Sequence, residues 1–171
     1  VRWLRLPGSL PLLGRGARSI AAPIISALGL NPKSAGMLEF GGSYAGAYLL
    51  KRGLFLPWEL EDVLDHDVMI EGLRRLEPMR HIEHALRPRP QSAHARVATL
   101  ESTLYMRNQL LRDADWASMA HSIEVRVPFV DAWLLAEAAR HTSTLAREGV
   151  GKAILARAPS VPLPSAIVGR R

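Results

Sequence analysis

Tyr105-Met-Arg-Asn-Gln-Leu-Leu-Arg-Asp-Ala-Asp-Trp-Ala-Ser-Met-Ala-His-Ser-Ile-Glu-Val-Arg-Val-Pro-Phe-Val-Asp131 is the stretch on which the reading of the chain turns. Its first part belongs to a long helix predicted over 93–113, with Val97, Leu100, Leu104, Leu110 and Leu111 recurring at helical steps on the inward face. That helix delivers Asp113 and Asp115 near its end, and Ser118, His121, Ser122, Glu124 and Arg126 follow closely. So many polar side chains are unusual for a core. Residues 123–127 form the only credible strand of the chain. In extended backbone Glu124 and Arg126, two apart, point to the same face and can make one charge-paired corner. Asp131 then caps another helix through Leu134, Leu135 and Ala138. The plain alternative is that Asp115 or Ser118 caps a turn, Arg126 sits in an ion pair and His121 is a packed imidazole.

Outward from this stretch the pattern stays helical. Leu13, Ile20, Ile24 and Leu28 mark an amphipathic helix ended near Gly29 and Asn31-Pro32. A second is predicted from Pro32 through Met37, Phe40, Tyr44, Tyr48 and Leu49, stopped by Gly53. Pro57 opens a third with Trp58, Leu60, Val63 and Leu64 on one face, and Asp67 caps a fourth holding Met69, Ile70, Leu73, Leu76 and Met79. Arg87-Pro-Arg-Pro-Gln91 is a loop, since each proline removes a donor and biases its predecessor to extended geometry. The expected class is mainly α. Because such helices normally cover something, a neighbouring sheet outside the chain is expected.

Composition narrows the function. The chain has 171 residues, 48% of them hydrophobic and 22% charged, which suits one globular domain rather than a disordered one. It has no cysteine, so disulfide frameworks, thiolate metal sites and cysteine nucleophiles are out, and a reducing, cytoplasmic setting fits. The apolar stretch from Ser19 to Leu30 falls short of the roughly 20 residues that a bilayer span needs, so no membrane partner is expected. The net charge of +6 raises the question of nucleic acid. However, Arg74, Arg75, Arg80, Arg87 and Arg89 are interleaved with Glu71, Glu77 and Glu83, as on a solvated helix face. There is no helix-turn-helix pattern or aromatic stacking platform, and no nucleic acid is expected. His81 and His84 lack zinc-site spacing, and no protein-bound metal is expected. Phe40-Gly41-Gly42-Ser43-Tyr44 has no carboxylate beside its glycines, sits inside a helical pattern, and is read as helix packing rather than a phosphate loop.

The run Asp115–Asp131 resembles the signature of the synthetase domain of the asparagine synthetase family, where Asp, Ser-Met-Ala-His-Ser, Glu-x-Arg-x-Pro-Phe and a following Asp recur in that order. Tyr105-Met-Arg-Asn-Gln-Leu-Leu is similar to the family's Tyr-Leu-x-x-Asp/Asn-x-Leu-Leu helix. Gly151-Lys152-Ala-Ile-Leu is similar to its Gly-Lys-x-x-Leu element, and Leu163-Pro164-x-x-Ile167-x-x-Arg170 to the element after it. Phe55-Leu56-Pro57-Trp58-Glu59-Leu60 resembles the exopolysaccharide- and exosortase-associated amidotransferase subgroup.

The resemblance implies the helical C-terminal part of a PP-loop ATP pyrophosphatase-type α/β domain with the nucleotide-binding sheet missing, residues 1–171 being a partial synthetase domain cut at both ends. It implies an ATP-dependent, glutamine-dependent ligase of asparagine biosynthesis that adenylates a carboxylate, aspartate or a related acid, and forms an amide with release of AMP and pyrophosphate. ATP and Mg²⁺ are the implied cofactors. Their main motifs, Ser-Gly-Gly-x-Asp-Ser and Gly-Asp-Glu-Leu-Phe-Gly-Gly-Tyr, are not in the chain, so the fragment alone should be inactive. The implied partners are a small carboxylate substrate and ammonia from an N-terminal glutaminase domain, with a homodimer left open.

By the same resemblance Lys152 matches a catalytic lysine, an ammonium that can follow developing negative charge. Glu124 is the second catalytic candidate, orienting or deprotonating a nucleophile. Asp115, Ser118, His121 and Arg126 shape the substrate side. After Lys152, Ile154-Leu155-Ala156-Arg157-Ala158 stands where many relatives have Leu-Leu-Arg-Glu-Ala, a departure that speaks against an unchanged aspartate pocket. Two other classes stay in view: a basic helical nucleic-acid-binding module and a non-catalytic helical interaction domain.

Overall fold

The computed structural model describes residues 11–147, 156, 158–161 and 163–168. The chain divides into two compact units, Val1–Val125 and Arg126–Arg171. Helices dominate both, and among the described residues there is no strand, so the mainly α expectation holds. Residues 123–127 run without a ladder partner, which corrects the single strand expected there. Their apolar side chains stay exposed, Ile123 at 58% and Val125 at 51%.

In the first unit, α1 (Pro11–Ala27) continues through Pro23 and ends where Gly29 takes φ +64. The Leu30 N–H then reaches the Ile25 carbonyl and the Gly29 N–H the Ser26 carbonyl, satisfying last-turn acceptors with a residue that tolerates left-handed backbone. Asn31 caps a 3₁₀ turn (Pro32–Gly36), its side chain accepting from the Lys33 N–H at 2.9 Å. The helix expected from Pro32 to Gly53 is broken in two. α2 (Met37–Phe40) stops at Gly41, and α3 (Tyr44–Arg52) starts afresh with the Ser43 hydroxyl accepting from the Gly46 N–H at 3.0 Å. The Gly41-Gly42-Ser43 run is therefore a break between helices, and a capping serine is what turns the chain. Lys33 Nζ donates to the Gly53 carbonyl at 2.6 Å, placing a cation on the C-terminal end of α3.

The third predicted helix is also absent, because residues 57–64 hold only turns and a 3₁₀ segment (Leu60–Asp62). Here Glu59 reaches back to accept from the Leu56 N–H at 2.7 Å, a local bond that competes with helix continuation, and Leu56 is fully buried. α4 (His66–Leu76) follows Asp65 rather than Asp67, and Glu77 at φ 43 separates it from α5 (Pro78–Ala85), which takes Met79 away from α4. The charged face is solvated as expected, with Glu71 paired to Arg74 and Arg75 and Glu77 paired to Arg80.

After the 87–91 loop, Ser92 caps α6 (Ala93–Leu100), which runs unbroken into an eleven-residue π-helical segment (Glu101–Leu111) and then α7 (Arg112–Met119). The helix thus extends past the predicted end at Asp113. Its π segment opens where the Ser102 hydroxyl donates to the Ala98 carbonyl at 2.8 Å and the Thr103 hydroxyl donates to that of Thr99. Hydroxyls bonded back onto the preceding turn compete for the acceptors an α-helix would use. Ala45, Tyr48, Ile82 and Leu100 form the core, with Leu49, Met79, Leu86 and Leu104 packed against it from α3, α5 and the π segment. Val97 and Leu110, expected inward, remain 44% and 48% exposed.

A second packing site joins α1 to α2 and the turn after α3. Phe40 and Trp58 stack at 6.0 Å, and the Arg18 guanidinium lies 4.3 Å from the Trp58 ring centre while pairing with Glu39 at 2.8 Å. In the second unit a 3₁₀ turn (Pro128–Val130) leads into α8 (Ala132–Arg147), and α9 (Ser165–Val168) follows Pro164. Asp131 caps α8 as expected, its carboxylate accepting from the Leu134 N–H at 2.9 Å.

Candidate active site

Of the residues singled out in the sequence, Asp113, Asp115 and Ser118 lie on α7, and His121, Ser122 and Glu124 on the chain leaving it. Asp113 and Asp115 occupy the first turn of α7, where carboxylates suit the positive helix end of a separate helix. Here that turn continues the π segment, so its amides already have partners. Asp113 instead faces Arg112 at 3.8 Å, and the Arg112 guanidinium lies 4.9 Å from the Trp116 ring centre. Asp115 is exposed, and its carbonyl accepts from the Ser118 hydroxyl at 3.1 Å. Ser118 therefore secures the last turn from within.

How the helix ends decides where the motif goes. The Ile123 N–H returns to the Ser118 carbonyl at 3.0 Å and the Ser122 N–H to the Met119 carbonyl at 3.0 Å, with Ser122 in left-handed backbone at φ 57. This is a Schellman closure with serine where glycine is usual. It reverses the chain after His121 and sets Asp115, Ser118, His121 and Glu124 within one helix end and its exit turn. All but half-buried Ser118 are exposed. Apolar Trp116, Met119, Ile123 and Val125 are exposed among them, at 65%, 56%, 58% and 51%. The first unit thus presents a mixed polar and apolar surface rather than an enclosed pocket.

Arg126 begins the second unit and is likewise exposed; neither it nor Glu124 lacks an interaction partner. Within that unit Arg126 precedes the Pro128–Val130 turn and the Asp131 cap, so the Arg-x-Pro-Phe-x-Asp run is a helix entry. Lys152, with Gly151, Ile154 and Leu155, lies outside the described residues. Leu163 and Pro164 open α9, where the Ile167 N–H returns to the Pro164 carbonyl at 2.9 Å.

The family model for asparagine synthase matches residues 32–171, which include every one of these positions. The chain belongs to the asparagine synthase family. Asparagine synthases are ATP-dependent carbon–nitrogen ligases, so the family supplies ATP binding and ligase chemistry in asparagine biosynthesis. No curated protein and no solved structure matches the chain. Among the described residues no helix is long and apolar enough to cross a membrane.

Sequence reasoning missed the side chains that hold this asparagine synthase segment in place. Arg52, at the end of α3, grips Glu101 and lies over Tyr105, which opens the motif, 49 or more positions away. No local pattern announces such a contact. Arg112 over Trp116 was visible as a four-residue helical spacing. The described residues do not fit a Mg²⁺-triphosphate: no group of three or more of their carboxylates and imidazoles could hold a metal, and beside the Gly41-Gly42 turn the Ser43 hydroxyl is engaged in capping α3.

Proposed function

We propose that residues 105–131, together with Lys152, form the substrate-facing part of the synthetase domain in a glutamine-dependent amidotransferase. In that reaction a carboxylate attacks ATP to give an acyl adenylate and pyrophosphate, and ammonia from glutamine then displaces AMP to leave an amide. The observation that carries the reading is the asparagine synthase match running through the Asp115–Asp131 signature, whose polar residues in the first unit gather at one helix end.

The roles follow from the resemblance to the family signature and from the chemistry of each side chain. Asp115, Ser118, His121 and Arg126 contribute hydrogen bonds and charge toward the acceptor acid. Glu124 orients or deprotonates the incoming nucleophile, which a carboxylate can do only while ionised. Lys152 supplies a mobile ammonium where negative charge develops at the reacting carboxyl. The exposed Trp116, Met119, Ile123 and Val125 support a further layer of protein beside the polar residues, because apolar side chains of this size gain from burial against a neighbour. ATP and Mg²⁺ would then be held by that neighbouring part. The cytoplasm, where glutamine and ATP are both abundant, is the proposed setting.

The test uses the longer protein that this reading requires. Lys152→Ala and Glu124→Gln should each abolish carboxylate-dependent AMP formation while glutamine hydrolysis continues. Full AMP formation in either variant would remove that residue from the mechanism. AMP formation dependent on a carboxylate other than aspartate would name the acceptor.

A further inference from the structure

A half-open cleft of about 360 Å³ lies in the first unit, away from the asparagine synthase signature. Ser43 and Tyr44 from the cap and start of α3, Glu83 and Leu86 around α5, Arg89 from within the proline loop and Arg96 from α6 line it. Three of these side chains carry charge, and among the described residues none of the three forms an ion pair.

Arg96 is the fixed member. Its Nε donates to the Pro90 carbonyl at 2.8 Å, its guanidinium lies 5.1 Å from the Tyr44 ring centre, and it is half-buried. One donor and one face are thereby committed, and the fork of remaining N–H donors stays available for a planar oxyanion. Arg89 brings a second positive charge to the same cleft. Glu83 brings the opposite one, which would repel a dianion such as phosphate but would receive an ammonium. The Ser43 hydroxyl is already engaged with the Gly46 N–H, so it adds no strong selection of its own.

We propose that this cleft binds an α-amino acid, with the carboxylate on Arg96 and Arg89 and the ammonium on Glu83. A ligand that carries an ammonium and a carboxylate on one carbon offers a partner of the right charge to all three side chains. The volume falls within the range of small-molecule sites, about 300–1,000 Å³, and leaves room for a side chain beside Tyr44 and Leu86. The site is separate from residues 105–131 and does not depend on the reaction proposed for them.

Isothermal titration with a panel of L-amino acids tests this, with acetate, methylammonium and inorganic phosphate as single-ended controls. At least one amino acid should saturate the protein, and each control should bind about tenfold or more weakly, a loss of the size expected when one charged contact is missing. Glu83→Gln and Arg96→Lys should each weaken that amino acid by about tenfold. Arg89→Ala, whose side chain is exposed and makes no bond that holds the fold, guards against a folding defect in the Arg96 variant and should weaken binding in the same direction. Phosphate binding as tight as any amino acid, or tighter binding in Glu83→Gln, would make the cleft an anion site and overturn the proposal. Absence of saturable binding by every amino acid would overturn it as well.

Discussion

The Arg52 guanidinium carbon lies 3.6 Å from the centre of the Tyr105 ring. The same guanidinium takes both carboxylate oxygens of Glu101, with Nε at 3.1 Å from Oε1, so α3 is clamped to the π-helical segment one turn ahead of the signature. The hydrogen bond to Glu101 raises the Arg52 pKa further above its already high value, so the guanidinium stays charged at any working pH. Side chains about 30% exposed keep enough solvent contact that the full Coulomb energy is not realised. Arg52→Ala should therefore lower the urea midpoint, and Arg52→Lys should restore less than half of the loss, since an ammonium cannot grip two oxygens and stack together. Full recovery with lysine would reduce the contact to a simple ion pair.

Beside this clamp, burial pushes the Tyr48 phenol up from its ordinary pKa, and the Glu101 carboxylate adds to the effect. The unfolded chain releases this proton near its usual pKa of about 10, before the folded one does, so folding stability falls as pH rises from there through the folded value. Below that range the group costs nothing. Tyr48→Phe cannot ionise. Its urea midpoint should fall less than that of the parent between pH 8 and pH 11, and an equal fall in the two proteins would show that Tyr48 does not govern the alkaline limb.

How far the sequence revealed this arrangement depends on range. Elements set by neighbouring residues were legible: Gly29 ending α1, Asp131 capping α8, the glutamates and arginines of α4 and α5 pairing on a solvated face. The breaks at Gly41-Gly42 and at residues 57–64 were not, because apolar periodicity continues through both while Ser43 and Glu59 redirect the backbone by side-chain bonds. The signature was legible as a string, but its helix end was not, since α7 runs on to Met119 past the end expected at Asp113. Its exit turn was hidden by Ser122, which does the work of a glycine that pattern reading would look for. The Arg52 clamp, being nonlocal, left no trace at all.

The close approach at the start of α3 has a simple consequence. A Cβ on Gly46 would fall 2.1 Å from the Phe40 carbonyl oxygen and 2.8 Å from its carbon. Backbone atoms cannot yield as a flexible side-chain tip can, so the α2–α3 turn would have to open, and with it the Ser43 cap. Alanine would normally favour a helix over glycine by about 1 kcal/mol, but overpacking of this kind costs about 1–3 kcal/mol and should win. Gly46→Ala is expected to lower the urea midpoint, whereas Gly16→Ala, with open space around its would-be Cβ, should not. A stabilised Gly46→Ala protein would mean that the turn relaxes freely.

The last prediction concerns Ser122, the residue that turns the chain from α7 toward Glu124. Its φ of 57 places a Cβ-bearing residue where left-handed backbone costs about 1–2 kcal/mol. Glycine removes that strain but loses about 0.4–1 kcal/mol through the greater freedom of the unfolded chain. The strain term is the larger, so Ser122→Gly should stabilise the protein by roughly 0.5 kcal/mol, while Ser122→Val, β-branched and unable to adopt the turn cheaply, should destabilise it by more than about 1 kcal/mol. In the longer enzyme proposed above the two variants would separate geometry from chemistry. If the turn only aims Glu124, Ser122→Gly should keep AMP formation and Ser122→Val should lose it. A Ser122→Gly protein that is more stable yet inactive would instead assign the hydroxyl itself a part in the reaction.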